Sequence, residues 1–123
     1  MTGILYHHLF SGPSRTVLLT VRNLGLNIQV KNVDIFKGEQ HSPQYLKINP
    51  LNQIPAFVDG DFVLTESKAI VCYLANSNRS QLYPTDFKKR AMIDSRLYFD
   101  SSSFFPALRD FYVSFSSLGK FLD

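Results

Sequence analysis

Apolar and polar positions alternate between two periods along this chain. Ile4 to His8 is short and apolar-leaning and is stopped by Ser11-Gly12-Pro13, which predicts a strand running into a loop. Pro13 suits a first helical turn, and Val17, Leu18, Val21 and Leu24 recur at helical spacing until Gly25 closes the element. Ile28, Val30, Val33 and Ile35 are β-branched and mostly alternating, so a second strand is expected over Ile28–Asp34. Ser42-Pro43 opens a short helix through Gln44, Tyr45, Leu46 and Lys47, which Asn49-Pro50 halts. Ile54–Val58 and Phe62–Leu64 then form two strands joined by Asp59-Gly60-Asp61, a strong hairpin signal. Thr65 or Glu66 caps the next helix, whose stripe of Ala69, Ile70, Tyr73 and Leu74 ends near Asn76–Asn78.

The resulting order, βαβαββα, places a mixed four-stranded sheet under helices, the α/β arrangement called thioredoxin-like. Arg79–Thr85 is polar and contains Pro84, the mark of a linker. Beyond it Asp86 caps a longer helix in which Ile93, Leu97, Phe104, Leu108 and Phe111 share one face, and Pro106 predicts a kink or break around Ser102. The expected organisation is therefore a domain over 1–78, a linker over 79–85, and over 86–123 the start of an all-helical domain.

Composition narrows the class. With 45% hydrophobic and 19% charged residues among 123, and 6 Gly and 6 Pro, the chain is neither disordered nor collagen-like. The apolar run Ala69–Ala75 falls far short of the about 20 residues of a membrane span. The first ten residues carry no signal-peptide pattern, so a cytoplasmic protein without a membrane partner is expected. One cysteine, Cys72, excludes an internal disulfide and a multi-Cys zinc cage, and no metal is expected. The net charge of +3 is spread along the chain, with Lys88-Lys89-Arg90 as its one cluster, which argues against a nucleic-acid partner.

Four short motifs occur in order, each on the element where it would be used: Ser11-Gly12-Pro13-Ser14-Arg15, Asn49-Pro50-Leu51-Asn52-Gln53-Ile54-Pro55, Asp59-Gly60-Asp61-Phe62 and Glu66-Ser67-Lys68-Ala69-Ile70. In these the chain resembles a cytosolic glutathione transferase. Leu82-Tyr83-Pro84 and Arg96-Leu97-Tyr98-Phe99-Asp100 bring it nearest to the insect delta and epsilon classes, with a theta-like wording at Asp59–Thr65. The resemblance covers Ile4 to about Arg109. It implies conjugation of the glutathione thiolate to small hydrophobic electrophiles, a detoxification chemistry, with glutathione as co-substrate and a homodimer where the helical domain is complete.

A thiol of pKa about 8.5 is mostly protonated at neutral pH, so such a protein must favour the anion. On spacing alone Ser11 reads as an ordinary N-cap, whereas the resemblance makes its hydroxyl the donor to the thiolate. Tyr6 is off the family's tyrosine position and is left to core or subunit packing. Ile54-Pro55 reads from base rates as a trans proline opening a strand; the resemblance implies a cis bond, with the main chain of Ile54 pairing to the cysteinyl part of glutathione.

Glu66 and Ser67 open a helix whose N-terminus would take the γ-glutamyl carboxylate, with Glu66 accepting from the ligand's amino group. Lys68 and Asp100 match a charge network of the delta class, and equally read as solvated charges. Gln40 and Asn52 stand where delta enzymes usually place histidines, so the glycyl carboxylate would be held more weakly, by about 1 kcal/mol. His41 lies one residue beyond and reads as a loop histidine, and Lys68 in place of arginine loses bidentate geometry. The electrophile would sit between the first loop, including Leu9, and the long helix with Phe104, Phe105 and Leu108; these three also read as core. The family continues through further helices that Leu118–Asp123 does not resemble. The alternative to a transferase is therefore a truncated, catalytically weak or inactive glutathione-binding or interaction module of the same fold.

Overall fold

A computed structural model describes residues 3–119. The elements are β1 (Ile4–His7), α1 (Gly12–Asn23), β2 (Gln29–Asn32), a 3-10 turn (Glu39–His41), α2 (Pro43–Leu46), β3 (Ala56–Asp59), β4 (Phe62–Thr65), α3 (Ser67–Ser77), α4 (Phe87–Phe99), a π-helical turn (Asp100–Phe104) and α5 (Phe105–Gly119). The chain divides into two compact units between Tyr83 and Pro84. Residues 1 and 2 of the expected first domain, and 120–123 of the expected helical segment, lie outside the described residues.

In the first unit the sheet order is β2-β1-β3-β4. β1 runs parallel to β2 and antiparallel to β3, and β3 pairs antiparallel with β4. Side chains alternate across a strand, so adjacent residues serve opposite faces. Leu5 and Phe57, register partners, bury one face against Val17, Leu18 and Val21 of α1 and Ile70 and Leu74 of α3. Tyr6 and Ala56, the next pair, turn to the other face and pack with Val33, Tyr45, Ile48 and Ile54. Tyr6 thus packs within the unit, its ring 6.0 Å from that of Tyr45.

Local chemistry explains the boundaries. The Ser11 Oγ accepts from the Ser14 N–H at 3.2 Å and starts α1; Gly25, at φ 63, ends it with the Leu26 N–H donating to Val21 O and the Gly25 N–H to Arg22 O. α3 ends in the same pattern, but the left-handed residue there is Arg79, at φ 49. β2 is shorter than the alternation suggests, Gln29–Asn32 instead of Ile28–Asp34, because its one sheet neighbour, β1, is four residues long. β3 begins at Ala56, two residues later than expected, since Pro55 has no N–H for the ladder.

In the second unit Asp86 caps α4, its Oδ1 accepting from the Lys89 N–H at 2.9 Å. The break near Ser102 exists as a π-helical turn over Asp100–Phe104. Pro106 offers no N–H to the preceding turn, and the wider π turn absorbs the mismatch. That insertion shifts the helical phase, so the single stripe expected from Ile93 to Phe111 is not one continuous face. Ile93 and Leu97 are half-buried, whereas Phe104, Leu108 and Phe111 are exposed. Among the described residues, no helix is long and apolar enough to cross a membrane.

His7, the last residue of β1, has a buried Nδ1 without a hydrogen-bond partner. Burial first, then the nearby charges of His8 and Arg22, hold its pKa below the ordinary imidazole value. The unfolded chain therefore binds the proton more readily, and stability present above about pH 6.5 is lost as the pH falls toward the lower folded-state value. Urea midpoints are expected to decline between pH 7 and about pH 5, and His7→Gln should flatten that decline. An equal decline in the variant would assign the acid sensitivity to another group.

Candidate functional site

The strand register assembles the site. Tyr6 of β1 pairs with Ala56 of β3, and Ala56 with Thr65 of β4, so the exit of β1, the entry to β3 and the exit of β4 share one end of the sheet. His7 pairs in parallel with Asn32, so β2 leaves at that end as well. Four segments follow from these strand ends: the loop with Leu9 and Ser11, the stretch with Gln40, the approach to Ile54-Pro55, and the turn into Ser67. The N-termini of α1 and α3 both start there, which concentrates the positive ends of two helix dipoles.

At the first, the Ser11 N–H donates to His8 O at 3.0 Å and the Ser11 carbonyl accepts from the Arg15 N–H at 2.9 Å. A hydroxyl has one proton to donate and two lone pairs. Capping Ser14 uses a lone pair, so capping and donating a hydrogen bond from the same oxygen are compatible roles. The first turn of α1 has no acidic residue to offset its dipole. Leu9 is exposed, and beside it Phe10 and Phe36, each 74% exposed, form an aromatic cluster with His8 at centroid distances of 5.3–5.8 Å. The sequence gives no signal for Phe36: it reaches this cluster from the connection after β2. His8 is fixed within it, its Nδ1 accepting from the Phe10 N–H at 3.3 Å.

The Ile54–Pro55 peptide is cis, as the resemblance implies. Among the described residues the Ile54 N–H and C=O take no protein hydrogen bond, leaving a short free strand edge on a half-buried residue. Just before it, the Tyr45 hydroxyl donates to the Gln53 carbonyl at 2.6 Å and the Asn49 side-chain amide donates to the same oxygen at 2.8 Å. Asn52 is exposed and left-handed, at φ 50.

Glu66 occupies the N-cap position of α3 with φ 68 and ψ 109 but makes no side-chain capping bond. The expectation of a capping Thr65 or Glu66 side chain is corrected accordingly. A non-glycine residue held there costs about 1–3 kcal/mol, and the first turn of α3, with Ser67 buried, is left without a side-chain cap. Lys68 is half-buried in that turn.

Gln40 sits in the 3-10 turn, half-buried, with its Oε1 enclosed and unpaired; His41 beside it is exposed. A buried acceptor without a donor is costly, which suits a position completed by a ligand or water. The loop before it is organised by Asp34, whose carboxylate accepts from the Phe36 and Lys37 N–H groups at 3.1 and 3.2 Å. Those bonds, that from Lys37 foremost, hold its carboxyl below the usual range. Asp100, Phe104, Phe105 and Leu108 belong to the second unit: Asp100 opens the π turn, Phe105 is half-buried, and Phe104 and Leu108 are exposed. Among the described residues, no group of three or more His, Cys, Asp or Glu is placed to hold a metal ion.

A mixed four-stranded sheet under helices, with a cis-proline at the head of β3 and two helix N-termini at one end, defines the thioredoxin-like class of folds. Within that class the chain belongs to the glutathione S-transferase family, whose N-terminal domain description matches residues 1–76. Glutathione S-transferase D7 of Anopheles gambiae is 37% identical over 125 residues, covering 100% of this chain and 57% of that protein. A glutathione transferase homologue of Drosophila mojavensis, solved with bound glutathione, is 42% identical with a TM-score of 0.79, over 82% of this chain and 47% of that one. A delta-class enzyme of Nilaparvata lugens is 38% identical with a TM-score of 0.83, over 88% and 52%. The chain spans about half the length of the curated relatives it matches.

Proposed function

We propose that this chain binds glutathione at the shared end of the sheet and promotes conjugation of its thiolate to small hydrophobic electrophiles. The observation that carries the reading is the convergence there of a hydroxyl at one helix N-terminus, the free main-chain edge of Ile54, and a second, uncapped helix N-terminus. Main-chain pairing suits a peptide, and the helix N-termini suit its carboxylate and its sulfur anion. The relative from Drosophila mojavensis binds the same tripeptide.

In this scheme the Ser11 hydroxyl donates a hydrogen bond to the sulfur anion, keeping its proton, while its oxygen still caps α1. Ile54, ahead of Pro55, pairs with the cysteinyl segment. Ser67 and the first turn of α3 receive the γ-glutamyl carboxylate, and Glu66 accepts from the amino group. Gln40 and Asn52 serve the glycyl end through neutral hydrogen bonds, and Lys68 balances charge around the γ-glutamyl end. Each unit by which the thiol pKa falls corresponds to about 1.4 kcal/mol of anion stabilisation.

The thiol proton leaves to solvent, sulfur forms a bond to the electrophilic carbon, and the leaving group departs with its electron pair. Leu9, in the exposed loop after β1, would face the electrophile from the first unit. The reading includes a cytoplasmic setting, pairing into a homodimer through a complete helical domain, and an organisation of 1–78, 79–85 and 86–123. Titration calorimetry of the chain with glutathione tests it: saturable binding at one site per chain is expected, and the absence of any saturable heat at millimolar ligand would overturn it.

A further inference from the structure

Two buried side chains converge on one peptide group beside the free edge of Ile54. Tyr45 is 4% exposed and Asn49 3% exposed, and both donate to the carbonyl oxygen of Gln53, at 2.6 and 2.8 Å. Asn49 is itself pinned, its Oδ1 accepting from the Leu51 N–H at 3.1 Å and its carbonyl from the Asn52 N–H at 3.0 Å. The Gln53 C=O and the Ile54 N–H belong to the same peptide unit, which is planar and, unlike the bond after it, trans. In a trans unit the two groups point in opposite directions. Fixing the oxygen with two donors therefore fixes where the Ile54 N–H points, and charge drawn toward that oxygen makes the N–H a stronger donor.

We infer that Tyr45 and Asn49 are positioning residues that aim and polarise the Ile54 N–H toward a carbonyl of the bound thiol peptide. The inference rests on the glutathione reading above and assigns a role to side chains that touch no ligand atom. A tyrosine used only for packing needs no hydroxyl, and an asparagine used only to shape its loop needs no amide bond to Gln53. Both groups are spent on the single carbonyl that controls the ligand-facing donor.

The test compares two ligands on two proteins. Affinities of the full chain and of Tyr45→Phe are measured by calorimetry for glutathione and for an analogue in which the cysteinyl carbonyl is reduced to a methylene. Loss of one hydrogen bond acting through the peptide should weaken glutathione binding about threefold to tenfold. The variant and the parent should bind the reduced analogue equally, since the acceptor of the Ile54 N–H is gone. In the ligand-free variant the Ile54 amide proton resonance should move upfield. Equal losses on both ligands would reduce Tyr45 to a structural role and overturn the inference. Equal glutathione binding by variant and parent would overturn it too while leaving the glutathione reading intact. No binding by the parent would remove that reading, and the clamp's role with it. Should Tyr45→Phe fold poorly, the same comparison in Asn49→Ser decides.

Discussion

Ser11→Ala is expected to slow conjugation of a chlorinated aromatic to glutathione by about 10- to 100-fold, the kinetic equivalent of a hydrogen bond to a charged group. The same change removes the cap on the Ser14 N–H, which costs about 1 kcal/mol of stability. Two further variants separate these effects. Ser11→Thr keeps both a capping oxygen and a hydroxyl proton and should retain most of the rate. Ser11→Asp keeps the capping oxygen but sets a carboxylate against the thiolate, so it should melt near the parent and conjugate no faster than the alanine variant. Steady-state rates and thermal melts on the four proteins decide the matter. If Ser11→Asp retained the parent's rate, the serine would be a cap and nothing more.

The largest effect on stability is expected at Gly3→Ala. Gly3 is buried, and a β-carbon there would collide with the Cζ and Cε2 atoms of Phe57 and lie 3.2 Å from Cγ2 of Ile28. Phe57 cannot retreat: it is fully buried, paired with Leu5 across the sheet, and in ring contact with Tyr73 at 6.0 Å. The Gly3 carbonyl also accepts from the Gln29 N–H at 3.0 Å, which ties the backbone on the other side. Overpacking of this kind costs about 1–3 kcal/mol, readable as a lowered urea midpoint. Adding Phe57→Leu, which shortens the obstructing ring, should cost less in the Gly3→Ala background than in the parent. Strictly additive losses would contradict the steric account.

Much of this architecture was legible because its signals are local. Ser11-Gly12-Pro13 marks the start of α1 through capping chemistry, Asp59-Gly60 marks the hairpin through the one residue that takes φ 61 without strain, and Pro106 marks a break through a missing donor. The site's main segments follow, since they lie at those same strand and helix ends. What escaped depends on contacts that no period encodes. The bond from Tyr45 to Gln53 spans eight residues through an irregular loop, Phe36 meets His8 and Phe10 between the connections that follow β2 and β1, and Gly3 matters only through Phe57. β2 illustrates a different limit: alternation of Ile28, Val30 and Val33 identifies a strand but does not say that it is an edge, where Val30 remains exposed. Likewise a heptad-like stripe says nothing of a π turn inserted in its middle.

The central claim is that Ser11 and the N-terminus of α1 favour the ionised sulfur of bound glutathione. Ultraviolet titration of the thiolate in the complex measures this directly. The bound thiol is expected to ionise below the free value of about 8.5, and in Ser11→Ala to return toward it. A bound thiol that ionises at the same pH with and without the serine hydroxyl would contradict the account.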